Sequence, residues 1–346
     1  MRVAELIALR QFRVVERQIA DPGAGEVQVR LQAVGICGSD MHSYAEGGIG
    51  GKLCAYPMVL GHEPAGVVEK TGAGVSGWQP GDLVACEPAL YCYHCEFCMA
   101  GRHNLCLKLR FLSSPGEPGF FRDYVNLPAR NLLALPSGLS AKEGSLIEPL
   151  SVALHSMKFG QPQPGETAAV FGAGPIGLLT VAVLKLSGAS RVWAIDPVPA
   201  RRDLARQIGA DESLDPKAVD VVRQILADTA KRGVDIVFDC AAKGESLRQS
   251  IHVVRSAGRV VFTGIPSEIE SPIDFHSWRR KELAMFQVRR SNHEGEQARD
   301  ILAANLSRFA PLITHTRALG QIAQAFAQLE RYEDGVGKSV IDCSAS

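Results

Sequence analysis

The sequence has no charge of either sign to spare. Lys plus Arg and Asp plus Glu number 37 each, so no net field recruits nucleic acid or an acidic membrane surface. No stretch approaches the roughly 20 apolar residues that span a bilayer. The opening MRVAELIALRQFRVVERQ breaks its apolar residues with charge every few positions, which excludes a signal peptide, and a cytoplasmic location is expected. Internal repeats and low-complexity tracts are missing too. A disulfide framework is also excluded, because a reducing compartment keeps the nine cysteines as thiols. Cys54, Cys86, Cys240 and Cys343 read as small hydrophobes. What remains is a chain of 346 residues, 46% apolar, with material for two globular cores at roughly 150 residues each.

Texture divides the chain. The first 150 residues are rich in Gly and Pro and carry short β-type runs such as EVQVRLQAV (26–34) and AGVVEK (65–70), the pattern of a mostly β domain. From about residue 165 the order becomes strand, glycine turn, helix. TAAVF, RVWAID, VDIVFDCA and GRVVFTG are short aliphatic runs separated by helical patterns, which predicts an α/β unit with a doubly wound parallel sheet buried on both faces. The tail ends in an amphipathic helix (LGQIAQAFAQLERY) and a strand (KSVIDC). The expected domains are 1–152 completed by 288–346, interrupted by a dinucleotide-binding unit at 153–287.

Within that unit, Gly172-Ala173-Gly174-Pro175-Ile176-Gly177 follows an apolar strand and opens a helix. Gly172 makes the tight turn, Gly174 admits a pyrophosphate close to backbone, and Gly177 permits close helix-to-strand packing. The helix N-terminus supplies free N–H groups for phosphate. Asp196 ends the next strand, nineteen positions after the last glycine. There it accepts hydrogen bonds from ribose hydroxyls and repels a 2′-phosphate, which predicts NAD over NADP. Arg201 and Arg202 could still hold a phosphate, or they are solvated residues of the next helix.

Two groups of residues suggest metal. Cys92, Cys95, Cys98 and Cys106 fall as C-x2-C-x2-C-x7-C, and four thiolates can close a tetrahedral shell around zinc. The bacterial iron–sulfur spacing places its fourth cysteine after three residues, before a proline. A redox pair would leave two cysteines over. The second group is quieter: Cys37 in GICGSDMH (35–42), with His62 and Glu63 in LGHEPAG (60–66). Thiolate, imidazole and carboxylate are all competent zinc ligands, and three of them leave a tetrahedral position open.

Together, and in order along nearly the whole chain, these motifs resemble the zinc-dependent medium-chain alcohol dehydrogenases. Four stretches resemble the sorbitol and polyol dehydrogenase branch: C37GSDMHSYAEGGIG with PMVLGHE, RFLSSPGEPG (110–119), LIEPLSVALH (146–155) and VRRSN (288–292). The resemblance implies a GroES-like catalytic domain and a Rossmann coenzyme domain. It implies a catalytic zinc on Cys37, His62 and Glu63, with Glu148 holding the zinc-bound water or exchanging as a ligand, and a structural zinc on Cys92, Cys95, Cys98 and Cys106. Ser39 would touch the reacting hydroxyl and begin a proton relay ending at His42. Tyr44, Phe111, Ser114 and Arg289 would line the substrate pocket, although Arg289 also reads as a surface ion-pair residue. NAD would lie on Gly172, Gly174, Pro175, Ile176, Gly177, Asp196, Arg201, Thr263 and Val288. A homotetramer is implied, with a dimer as the alternative.

The chemistry requires a metal. Hydride leaves a carbinol carbon readily only when its oxygen carries negative charge. A hydroxyl near pKa roughly 16 is almost never ionised at neutral pH, whereas zinc brings bound water to about 7. Nine units correspond to roughly 12 kcal/mol, and a general base alone gives ~10²–10⁴-fold. The reaction the resemblance implies is oxidation of a secondary alcohol of a sugar alcohol such as sorbitol or xylitol to a ketose. The same scaffold chemistry would serve a sugar acid such as L-gulonate or L-galactonate, a vicinal diol or L-threonine. A zinc-finger-like binding module leaves the dinucleotide motif and the second ligand group unexplained. A zinc-free quinone reductase is disfavoured by both ligand groups.

Overall fold

The computed structural model describes residues 1–243 and 245–345. The aliphatic runs beyond residue 165 form six parallel strands. Their spatial order is Glu212–Leu214, Arg191–Ile195, Thr167–Phe171, Val234–Asp239, Val254–Phe262 and Ala284–Gln287. Helices cover both faces, which is why every residue of Val234–Asp239 is buried, its two aspartates included. The direction of winding reverses between Thr167–Phe171 and Val234–Asp239. The carboxyl ends of those strands therefore open a crevice, where ligands of doubly wound sheets bind.

The second sheet has seven strands and is built on one long strand, Glu26–Gly35. Glu63–Thr71 pairs along one edge. The other edge is shared, first by Tyr124–Pro128 and then by Lys338–Asp342 from the chain's end. Leu83–Cys86 and Leu132–Ala134 extend one side, and Ile313–Ala318 extends the other. The tail strand is thus an integral part of the first sheet. The helix Ile322–Arg331 buries Ile322, Ala325, Phe326 and Leu329, apolar positions at helical spacing that cover this sheet.

One register matters for everything below. Gly35 lies opposite Glu63 on one neighbour and opposite Val340 on the other. Side chains two apart on a strand share a face, so Glu63 and Lys338 approach each other across Gly35. The helix Ile147–Gly160 joins the two sheets, its Leu150, Ala153 and Leu154 buried in one core with Ala33, Ala65, Leu178 and Ala182. All nine cysteines are free thiols. Among the described residues no helix is long and apolar enough to cross a membrane.

Candidate metal and dinucleotide sites

Cys37 caps the N-terminus of the helix Gly38–Glu46, which fixes its direction. Glu63 begins its strand and His62 directly precedes it, after the tight turn of Gly61, whose φ is 88°. One ligand atom from each of Cys37, His62 and Glu63 falls within 4.8 Å of the others. His62 is 5% exposed and Glu63 0%. Glu63 Oε1 is buried without a hydrogen-bond partner, while Glu63 Oε2 meets Lys338 and His62 Nδ1 faces Asp40. An orphaned buried carboxylate oxygen is costly, and a cation held among a thiol, an imidazole and a carboxylate would satisfy it. The donor set therefore fits zinc with one position left open.

Asp40, unassigned by sequence reasoning, organises this group. Its carboxylate accepts the backbone N–H groups of Cys37 at 3.0 Å and Gly61 at 3.1 Å and the Ser113 hydroxyl at 3.1 Å, and lies 3.5 Å from His62 Nδ1. Burial works against its charge, but His62 and these N–H groups outweigh that and hold the carboxyl below its ordinary value. Burial likewise disfavours a charged His62, yet Asp40 and Cys37 hold its pKa well above the usual one. A carboxylate behind a ligating histidine fixes the ring's orientation. The available signal was the spacing of Asp40 from Cys37, which follows the pattern of a helix capping box.

Ser39 Oγ lies 3.4 Å from His62 Nε2, at the mouth of the group. His42, one turn along the same helix, pairs through Nδ1 with Glu46 at 2.9 Å. The His42 hydrogen bond lowers the Glu46 pKa, and Glu46 also accepts the Ser267 hydroxyl from the coenzyme unit at 3.3 Å.

Lys338 is the second residue missed. It is 1% exposed, ion-paired with Glu63 and hydrogen-bonded to the carbonyl of Ile36 at 2.8 Å. Gly35 makes room for the pair, because a Cβ there would stand 2.0 Å from Glu63 Oε2 and 2.8 Å from Lys338 Cε. A charged residue opening an otherwise buried strand was the only clue in the sequence.

Glu148 opens the helix Ile147–Gly160. Burial pushes its carboxyl up to about 8; Glu63 and Glu87 add to the shift and His62 and Lys338 oppose it. The Phe111 ring lies 5.3 Å from that of His62. Ser114 closes the turn after Phe111 through backbone bonds, and its neighbour Ser113 is the serine that bonds Asp40. Tyr44 is corrected by the structure. It shares the buried face of its helix with Asp40, is 3% exposed and packs against Phe12 and Phe326 at 5.9 and 5.0 Å, so it belongs to the core. Arg289 is exposed, whereas Arg290 is half-buried with its guanidinium 3.8 Å from the Phe111 ring centroid.

The four lobe cysteines also converge within 4.8 Å. Cys92 and Cys98 sulfurs are 3.9 Å apart, and the Cys92 N–H meets Cys106 Sγ at 3.4 Å. Backbone N–H groups of Cys98 and Leu107 lower the Cys95 thiol to about 6, while burial pushes Cys98 up to about 12. His94 bonds the Cys92 carbonyl and His103 packs on His293. Both stand outside the thiol group.

At the crevice, Gly172 has φ 84°, and a Cβ on Gly177 would stand 1.7 Å from the Gly172 carbonyl oxygen. Gly174 caps the helix Pro175–Leu186, and a Cβ there would approach only Arg201, at 3.8 Å. The first and third glycines answer to the protein's own packing, and the second leaves a face for a phosphate. Pro175 and Ile176 form the first helical turn. Asp196 accepts the N–H groups of Ala173 and Val198, both at 2.8 Å. Arg202 is paired with Asp215 at 3.2 Å, and Arg201 stacks on Tyr332. Thr263 and Val288 stand at the carboxyl edge of the sheet, bonded to Ser156 and to the Phe262 carbonyl.

A buried mixed-donor group beside a dinucleotide crevice defines a metal-dependent oxidoreductase, and the chain belongs to the zinc-dependent medium-chain alcohol dehydrogenases, in their polyol dehydrogenase branch. The alcohol dehydrogenase GroES-like domain matches residues 23–137 and the zinc-binding dehydrogenase domain 175–304. Sorbitol dehydrogenase of Bacillus subtilis is 32% identical over 96% of this chain and 95% of that one. D-xylulose reductase A of Aspergillus niger is 40% identical over 72% of this chain and 71% of its own. A zinc-binding dehydrogenase of Sinorhizobium meliloti bound to NADP superposes with TM-score 0.91 at 29% identity, over 99% of this chain and 98% of the other. The fold is the GroES-like and Rossmann pairing, and the chain is a zinc- and NAD(P)-dependent alcohol oxidoreductase.

Proposed function

We propose that this chain is an NAD-dependent, zinc-containing polyol dehydrogenase that oxidises a secondary alcohol of a sugar alcohol, of the sorbitol or xylitol type, to a ketose. The observation that carries the reading is the buried group of Cys37, His62 and Glu63, with the unpartnered Glu63 Oε1 and Glu148 alongside. Zinc bound there would supply the charge that makes a hydroxyl acidic enough for hydride to leave the adjoining carbon, and a nicotinamide cofactor would supply the hydride acceptor.

The chain's own residues do the rest. Asp40 holds the His62 ring in orientation, and Lys338 holds the Glu63 carboxylate. Ser39 stands beside His62 to begin the proton relay, accepting the hydroxyl proton as it gives up its own. His42, paired with Glu46, passes that proton toward solvent. Asp196, fixed by two backbone donors, keeps acceptor lone pairs for ribose hydroxyls and sets its charge against a 2′-phosphate, the basis for NAD. Arg202 is already paired, which weakens the phosphate alternative. The lobe cysteines hold a second, structural zinc in this reading. The catalytic domain is 1–152 with 288–346, around a coenzyme domain at 153–287. A cytoplasmic homotetramer completes the reading, supported by the family resemblance and testable by mass in solution.

The experiment is a panel of sugar alcohols, diols and L-threonine with NAD, followed at the nicotinamide absorbance. Turnover of sorbitol- or xylitol-type chains is expected. Activity confined to threonine or simple diols, or none with any polyhydroxylated chain, contradicts the proposal.

A further inference from the structure

On Phe111, beside the candidate metal ligands, sits a cation that has no part in holding the metal or the dinucleotide. Arg290 stacks on Phe111 at 3.8 Å, and Phe111 in turn faces His62 at 5.3 Å, so one aromatic ring separates the guanidinium from a candidate metal ligand. A cation–π contact uses the charge and leaves the five N–H donors of arginine available. Among the described residues Arg290 makes no hydrogen bond and no ion pair. Glu87 and Glu148 lie within electrostatic reach of it, and neither is bonded to it; Glu87 instead accepts the N–H of Ala89 at 3.1 Å. Arg289, next in the chain, adds a like charge.

The backbone shows that this placement is imposed. Arg290 has φ 58°, in the left-handed region, which is costly for a residue with a Cβ. The segment is pinned on both sides. The Arg289 carbonyl accepts from Asn104 at 3.0 Å, and Asn292 donates to the Gly101 carbonyl at 2.8 Å. His293 packs on His103 at 4.4 Å. The cysteine lobe and the loop thus hold each other in the one conformation that turns Arg290 inward and leaves Arg289 outside. A residue held off its preferred backbone geometry beside a reaction site is a reason to look for a ligand.

We infer that Arg290 is a specificity-determining residue that receives an oxyanion on the end of the polyol chain, a carboxylate or a phosphate. The inference rests on the proposed dehydrogenase reading and refines its substrate class. A planar guanidinium with free donors matches either oxyanion bidentately, whereas a hydroxyl terminus leaves its charge unanswered.

The test uses the full-length, zinc-loaded enzyme with NAD on three chains of equal length: an alditol, its terminal phosphate and the corresponding aldonate. At least one anionic chain should exceed the neutral one in kcat/KM by about tenfold to a hundredfold, the range of a hydrogen bond to a charged group. Arg290→Gln should collapse that ratio, chiefly through KM, and Arg290→Lys should restore part of it. Arg289→Gln should change the ratio less than Arg290→Gln does. The phosphate and aldonate arms identify which oxyanion is taken. A neutral chain preferred in wild type, or a ratio insensitive to Arg290→Gln, overturns the inference while leaving the dehydrogenase reading intact. No turnover of any chain overturns both.

Discussion

The two cysteine-bearing clusters are built on opposite principles. In the lobe, four identical soft donors come from fifteen consecutive residues, at the surface, beside Met99 at 75% exposure and Leu107 at 67%. In the buried group, three different donors come from two separated segments, enclosed by residues from several more. Four thiolates fill a tetrahedral shell and leave nothing for a substrate. Three mixed ligands leave one position and surround it with charges that can be tuned. The conspicuous cluster is therefore suited to hold structure, and the inconspicuous one to hold a reacting oxygen.

Substitutions should separate the two. Cys37→Ser is expected to lower turnover about a thousandfold or more, since several kcal/mol of metal stabilisation are lost at about 1.36 kcal/mol per decade, while the thermal midpoint barely moves. Cys95→Ser should do the reverse. Its lobe should become the first site of protease cleavage, because metal binding and local folding are one equilibrium, and turnover per folded chain should fall far less than in Cys37→Ser. If both variants lose activity equally without losing stability, the contrast is wrong.

Lys338→Met sharpens the comparison from inside the buried group. In the metal-free chain it leaves Glu63, 0% exposed, without its lysine, and breaking a buried pair on one side costs about 3–5 kcal/mol. Denaturant unfolding should register that loss, and no lobe substitution should repair it.

The smallest effect concerns Glu294, which ties the loop after Arg290 to the helix Ile147–Gly160. Burial opposes its charge, but His155 at 2.9 Å and Lys158 outweigh it and lower the carboxyl to about 2. The folded value lies below the unfolded one of about 4.3. The stabilisation is therefore present above roughly pH 4 and lost as pH falls toward about 2. With solvent screening it amounts to about 1–2 kcal/mol. Glu294→Gln should remove that acid-limb slope, and an unchanged slope would discard the assignment.

Local features were legible in the sequence. The glycine turn, the cysteine spacing and the strand and helix periods are set by neighbours a few residues apart. The encounter of Lys338 with Glu63 depends on two strand registers meeting at Gly35, which no local pattern specifies. Tyr44 turned the other way because its helix presents that position to Phe12 and Phe326, distant in the chain. The choice between Arg289 and Arg290 rests on one left-handed residue, a decision made by the contacts of Asn104 and Asn292 rather than by the arginines themselves.

The zinc content of the purified chain, with Cys37→Ser measured beside it, tests the two-cluster account most directly. About two zinc per chain are expected in the parent and about one in the variant, as one closed and one open ligand set require. A parent chain holding one zinc or none, or a variant retaining both, would contradict it.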